Sequence, residues 1–427
     1  MMLDRASVVG ARGSARRRRT NHRFMNWRPI VVASRIVACT SVAMLAGACA
    51  TAKPTAEPGA QEEVRIPDGD ADGGAADDGG DADAAPCTDC EYFTEACTAD
   101  VLCPGGPFEP SIAGGGFDVR TQINVIRGRS ASDVWISGAL GALAHFDGTS
   151  WSRSDLGTQE DIRAFWLRDS GEIALSRLDY LFSRGLAAPD AGASPGGWTR
   201  HEPVSFPPDY DGIATAFESA WGSPGAEWLW TATRVKEGMF AFMSGLSRLR
   251  RLPSGDFEVA DGIPWSEFAG QMTALHGASP DVVWAVGLDG VTARISGAQS
   301  DAPSVELFNS QTWNALHGVW VASDSEAWCV GAGGTIRHYA GDSTSWDIVP
   351  DVPTKQPLRA VWGSSPSDVW VVGDGSVVLH YDGTRWSRMK IAGLGARRPN
   401  LTTVWMAGPG HVWIGGQGVV LSLGGKP

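Results

Sequence analysis

The stretch VWGSSPSDVWVVGDGSVVLHYDGTRW, residues 361–386, returns in weaker copies along the chain, and its internal order sets the expected fold. Leu358 to Trp362 reads as a first strand, and the GSSPSD that follows is rich in residues that fix bends. DVWVVG is a second strand, and SVVLHY is a third after a glycine-containing turn. Asp382 and Gly383 then supply a hairpin turn into TRWSRMK, a fourth. The runs are short, β-branched or aromatic, and bounded by turn signals, as strands require. Four antiparallel strands in one unit make a propeller blade.

Anchored on Trp370, the counterparts are Trp135, Ala174, Trp230, Trp284, Trp328, Trp370 and Trp413, with separations of 39, 56, 54, 44, 42 and 43 residues. Seven copies at this period predict an all-β chain in which residues 117–427 form a seven-bladed β-propeller of four-stranded antiparallel blades. Both faces of a blade pack on neighbours, so near-continuous apolar strands such as VWVVG are expected. The recurring tryptophans are then wedges between sheets, each burying roughly 150–250 Å². The seventh copy ends in GVVLSLGG with no aromatic fourth strand. Because Phe117 occupies the place of a fourth-strand aromatic such as Trp386, Phe117 to Arg120 is predicted to complete that blade.

The motif VWGSSPSDVWVVG followed by HYDGTRW resembles the repeats of bacterial BNR-type and photosystem-assembly-factor-like β-propellers, which are frequent in exported lipoproteins. The resemblance covers residues 117–425, clearly in the first copy and the last four and poorly in the second and third. It implies a seven-bladed ring and no particular activity, because the architecture hosts enzymes, lectins and scaffolds alike.

Ahead of the repeats the chain changes character three times. Residues 1–48 carry a basic n-region with ARRRRTNHR and then an apolar run beginning at Ile36, the pattern of a secretory signal. Met25 is an alternative start. The run Ile36 to Cys49 has fourteen residues, short for a bilayer-spanning helix. It closes on LAGAC, which resembles a lipobox and makes Cys49 the expected lipidation site; simple cleavage near Ala48 or Ala50 is the alternative. Residues 49–86 are acidic and nearly devoid of apolar side chains, a composition that predicts a disordered tether. Asp68, Asp70, Asp72 and Gly73 imitate the start of a calcium loop, but Gly79 stands where the bidentate Glu is needed.

Residues 87–116 hold Cys87, Cys90, Cys97 and Cys103. In an exported chain these read as two disulfides, with three possible pairings, in preference to a zinc site. Cys329 sits at an apolar strand position and reads as a buried small hydrophobe. The expected setting is therefore the bacterial envelope, as an outer-membrane or cell-surface lipoprotein that touches membrane through its anchor only, or else a periplasmic or secreted protein.

The 427 residues carry a net charge of −13, which argues against nucleic acid as a partner. HExxH and P-loop motifs are lacking, the eight histidines have no metal spacing, and no catalytic residue, metal or cofactor is nominated. FDGTSW and YDGTRW resemble shortened Asp boxes, and Asp147 and Asp382 read as turn residues. A sialidase-like site requires an arginine cluster, a tyrosine nucleophile and paired acids. The five tyrosines, Tyr92, Tyr180, Tyr210, Tyr339 and Tyr381, offer little toward it.

The first strands supply a better clue. The column Ile123, Ile162, Phe217, Met272, Leu316, Leu358 and Leu401 is apolar throughout. The next column, Asn124, Arg163, Glu218, Thr273, His317, Arg359 and Thr402, is polar throughout and is expected to ring one end of a central channel. Arg127 and His276 replace tryptophan three places later and read as packed side chains. Longer loops in the second and third copies, with Phe206, Pro207, Pro208 and Tyr210, suggest an exposed aromatic patch. The sequence reading is a binding or scaffold module for an envelope protein or glycan, with a glycan-binding or glycoside-hydrolysing propeller as the alternative.

Overall fold

Strands dominate the chain, joined by tight turns, in a computed structural model described over residues 89–186, 192–207, 215–235, 245–268, 270–341 and 343–425. The signal segment, the acidic tether, Cys49, Cys87, Pro208 and Tyr210 lie outside the described residues. Six four-stranded antiparallel blades cover 123–153, 164–201, 215–263, 272–309, 316–348 and 358–388, each built as a meander from its first strand outward. These are blades one to six.

The expectation of seven four-stranded blades is corrected: the propeller has six, not seven. The last repeat joins a six-stranded composite sheet ordered Phe93–Thr94, Ile391–Ala392, Leu102–Gly105, Val419–Leu423, His411–Gly416, Leu401–Gly408. Its first strand, Leu401–Gly408, contacts both Leu358–Ser365 of blade six and Ile123–Ser130 of blade one, so this sheet closes the circle. The closing strand is Leu102–Gly105, antiparallel to Val419–Leu423 with Leu102 opposite Leu423 and Gly105 opposite Val420. Leu102 is wholly buried among Ile391, Leu401, Val404 and Leu421.

Phe117 to Arg120 does not supply that strand. Asp118 accepts hydrogen bonds from the Arg120 backbone N–H and guanidinium, and the Thr121 N–H bonds the Asp118 carbonyl, so the chain turns instead of extending. Phe117 nevertheless packs in the core shared by blade one and the closing sheet, with Trp151, Trp405 and Val420. Cys97 and Cys103 form one disulfide at the closing strand, and Cys90 is disulfide-bonded as well. The predicted pairing of all four cysteines thus rests, among the described residues, on these three.

Two tryptophan systems hold the sheets together. Trp135, Trp230, Trp284, Trp328, Trp370 and Trp413, on the second strands, are all buried, and most reach the aromatic residues of the next sheet. Trp284 lies 4.8 Å from Tyr339 and 5.2 Å from Trp346 of blade five, centroid to centroid, while Trp328 meets Tyr381 and Trp386 of blade six. Trp413 of the closing sheet meets Phe146 and Trp151 of blade one at 5.5 Å each, so the same contact that joins neighbours also shuts the ring.

The second system uses a glycine as its seat. A β-carbon added to Gly363 would stand 2.6 Å from the Trp320 indole of the preceding blade, and one on Gly128 would stand 2.5 Å from Trp405. These glycines are kept for space: the indole occupies the volume of the missing side chain. Gly363→Ala is expected to cost about 1–3 kcal/mol, because Trp320 is wedged and has nowhere to retreat. Urea unfolding measures this; a cost below about 0.5 kcal/mol means the ring yields and the seat is loose.

Candidate functional site

All seven residues of the polar column line one cavity at the centre of the ring, together with residues further down the first strands. The cavity offers about 120 Å³ to water-sized molecules. The preceding apolar column is buried at every position, which fixes the register of each first strand and brings the polar column to the mouth.

Their partners divide the seven. Asn124 donates to the Ile162 carbonyl at 3.1 Å, Thr273 to the Leu316 carbonyl at 2.6 Å and Thr402 to the Ile123 carbonyl at 2.6 Å. Each of these bonds runs from one sheet to the first strand of the next or, at Ile162, to the segment leading into it, so these three side chains lock neighbours together. Arg359 is held by Asp374 through two bonds, Nε to Oδ1 at 2.9 Å and Nη2 to Oδ2 at 2.6 Å. Arg163 has only a loose pairing with Asp161 at 3.7 Å and remains 46% exposed, which leaves its charge available at the rim. Burial, reinforced by the Arg359 charge, lowers the His317 pKa, so its imidazole is neutral near pH 7. Glu218 also lines the mouth.

Apolar residues stand on the same face. The connection into each first strand and the turn between second and third strands both lie at the mouth end of a blade. Trp313, 88% exposed, is on the connection into Leu316, Leu140, 76% exposed, is on a second-to-third turn, and Val119, 62% exposed, precedes Ile123. Trp313 was invisible as a surface residue in the sequence, because SQTWNAL has the look of any other strand-flanking tryptophan. The suggested loop patch is different: Phe206 is half-buried against the core between blades two and three.

Deeper in the cavity lie Arg127, His276 and Trp362. The first-strand column to which they belong continues with Trp166, Trp221, Trp320 and Trp405, none of which lines the cavity. The difference follows the glycine seat. Trp166, Trp221, Trp320 and Trp405 each lie against a glycine of the next sheet, Gly222, Gly277, Gly363 and Gly128. Arg127, His276 and Trp362 have Leu167, Val321 and Met406 at the corresponding place. Without a seat between sheets, their side chains occupy the channel.

The acidic turns carry no chemistry of their own. Asp147 accepts from the Thr149 hydroxyl and the Thr149 and Ser150 backbone N–H groups, which hold its carboxyl down at about 2. Asp382 is tied in the same way by Thr384 and Arg385, and its carboxyl is likewise held below the usual range. Cys329 is buried, and burial pushes its thiol pKa up, so it is not a nucleophile. Among the described residues no group of His, Cys, Asp and Glu is arranged to hold a metal ion.

No protein-family model and no curated protein matches the sequence. Solved structures match the fold. YCF48 bound to D1 peptide aligns with a TM-score of 0.52 at 16% identity, over 71% of this chain and 93% of that one. YCF48 from Cyanidioschyzon merolae gives 0.52 at 13% over 71% and 96%. A catalytically inactive variant of virginiamycin B lyase from Staphylococcus aureus, with quinupristin, gives 0.52 at 11% over 71% and 94%. At these identities the likeness establishes the β-propeller fold and nothing about ligands.

Proposed function

We propose that this chain is an exported, lipid-anchored binding module that takes a protein partner of the cell envelope on its channel-mouth face. The observation that carries the reading is the composition of that face: the loosely paired Arg163 and the charged mouth, flanked by the exposed Trp313, Leu140 and Val119. Tryptophan and arginine are among the residue types that carry most of the binding energy at protein interfaces. A propeller of this fold, YCF48, has been solved with a peptide bound, which makes a peptide segment a reasonable form for the partner's contact. The LAGAC motif and the acidic tether support an anchor at Cys49 with the ring held clear of the membrane. The glycoside-hydrolysing alternative gains nothing from the mouth, where Arg359 is occupied by Asp374 and no tyrosine is among the described lining residues.

The test is co-purification from the native envelope with wild type and with the double variant Trp313→Ser, Arg163→Glu. A specific protein retained by the wild type is expected to be lost from the variant at least tenfold, while Cys49→Ser releases the chain from the membrane fraction. Binding of a defined sugar on a glycan array with no co-purifying protein would replace this reading with the lectin.

A further inference from the structure

We infer that the waist of the channel, formed by Arg127, Trp362 and His276, is a binding site for a small oxyanion such as a monocarboxylate or inorganic phosphate. The three residues come from blades one, six and four and converge on one indole. The Arg127 guanidinium carbon lies 4.7 Å from the Trp362 ring centroid, and the His276 ring meets the same indole edge-on at 4.9 Å.

Both polar groups are left with donors to spare. A guanidinium has five N–H groups. Arg127 uses one, Nη1 to the Ile126 carbonyl at 2.7 Å, and among the described residues no carboxylate pairs with it. Its surroundings are dry enough to pull its pKa down to about 10, which leaves the cation intact at neutral pH. His276 Nδ1 accepts the Val321 backbone N–H at 3.1 Å, so the ring's hydrogen is on Nε2. Burial and the Arg127 charge hold the His276 pKa down at about 3, so it is a neutral donor. The waist therefore carries one fixed positive charge and only donors, a combination that selects an anion.

Arg127 is half-buried on a cavity open to the mouth, so its charge is partly hydrated, and an anion that enters the channel pairs with it more strongly than water does. Among the described residues that line the cavity Glu218 is the one acid, and it stands in the polar column at the mouth, while Asp374 and Asp161 pair with Arg359 and Arg163. The cavity that holds the waist is continuous with the mouth, so an anion has an entrance, and its space accommodates an oxyanion of four or five heavy atoms. The guanidinium lies over the Trp362 ring, and a guanidinium fork is suited to bidentate contact with an oxyanion. The site does not depend on which partner the outer face takes, and the two fail separately.

The experiment uses the purified full-length protein at pH 7, titrated calorimetrically with sodium acetate and with sodium phosphate at ionic strength matched by sodium chloride. One saturable site is expected for at least one of the two, weakened at least tenfold by Arg127→Gln and less by His276→Gln. The control Arg294→Gln, on the outer part of blade four, is expected to bind as the wild type. Since Arg127→Gln could disturb folding, selenate anomalous scattering from wild-type crystals supplies an independent position for the ion. Binding of acetate alone assigns a monocarboxylate, and of phosphate alone a tetrahedral oxyanion. Saturable binding of neither, undiminished binding in a folded Arg127→Gln, or selenate found only on outer arginines overturns the site.

Discussion

Leu102→Asp is expected to unlatch the ring, lowering the unfolding free energy by about 3–5 kcal/mol and producing oligomers in light scattering. Leu102 is wholly buried and bridges Ile391 to the strand Val419–Leu423. An aspartate there stands among the apolar side chains of Ile391, Leu401, Val404 and Leu421, so folding must either bury a charge in them or peel the strand away. Peeling exposes the outer edge of Val419–Leu423, a row of unpaired backbone groups ready to accept a strand from another molecule. Leu102→Ala distinguishes the two costs: it removes packing without charge, and is expected to destabilise by about 2–4 kcal/mol while the protein stays monomeric. A monomeric Leu102→Asp variant with unfolding within about 1 kcal/mol of wild type would show that Leu102–Gly105 is dispensable to closure.

Trp284→Ala is expected to cost about 3–5 kcal/mol. The indole is fully buried between blades four and five, against Phe308 at 4.8 Å, Tyr339 at 4.8 Å and Trp346 at 5.2 Å. Truncation opens a hole ringed by three aromatic residues whose own positions are set by their strands, so collapse is limited. Trp284→Phe is the informative companion. The indole N–H is buried with no acceptor among the described residues, so phenylalanine loses area but also removes an unsatisfied donor. Its cost is expected to be under half that of alanine. Equal costs for the two variants, read from urea midpoints at constant slope, would mean that edge contacts of the larger ring dominate.

These predictions rest on features of different legibility. The strand-turn-strand order of residues 361–386, the tryptophan columns and the apolar first-strand column were all readable, because each is a local pattern repeated. The polar column could be aligned from sequence and does line the cavity. Its division into Asn124, Thr273 and Thr402, spent on inter-sheet bonds, and Arg163, left at the rim, could not be read, since the carbonyls involved belong to the next sheet. Arg127 and His276 were legible as exceptions to tryptophan, and the glycine seat that explains them was in the sequence one column away, but its partner lies in a neighbouring repeat.

By itself, then, the sequence determined that this is an all-β repeat chain of propeller blades, that tryptophans wedge them, and which first-strand residues share a level. Local propensity and period are properties of consecutive residues, and they survive without knowledge of the whole. Tertiary structure alone decided the number of four-stranded blades, the use of Leu102–Gly105 rather than Phe117 to Arg120 as the closing strand, and the meeting of Arg127 with His276 across Trp362. Closure pairs residues more than three hundred positions apart, and an Asp118 turn outweighs an aromatic that merely fits the pattern. Which edge is satisfied by which distant strand depends on the geometry of the closed ring, and that geometry exists only once every sheet is in place.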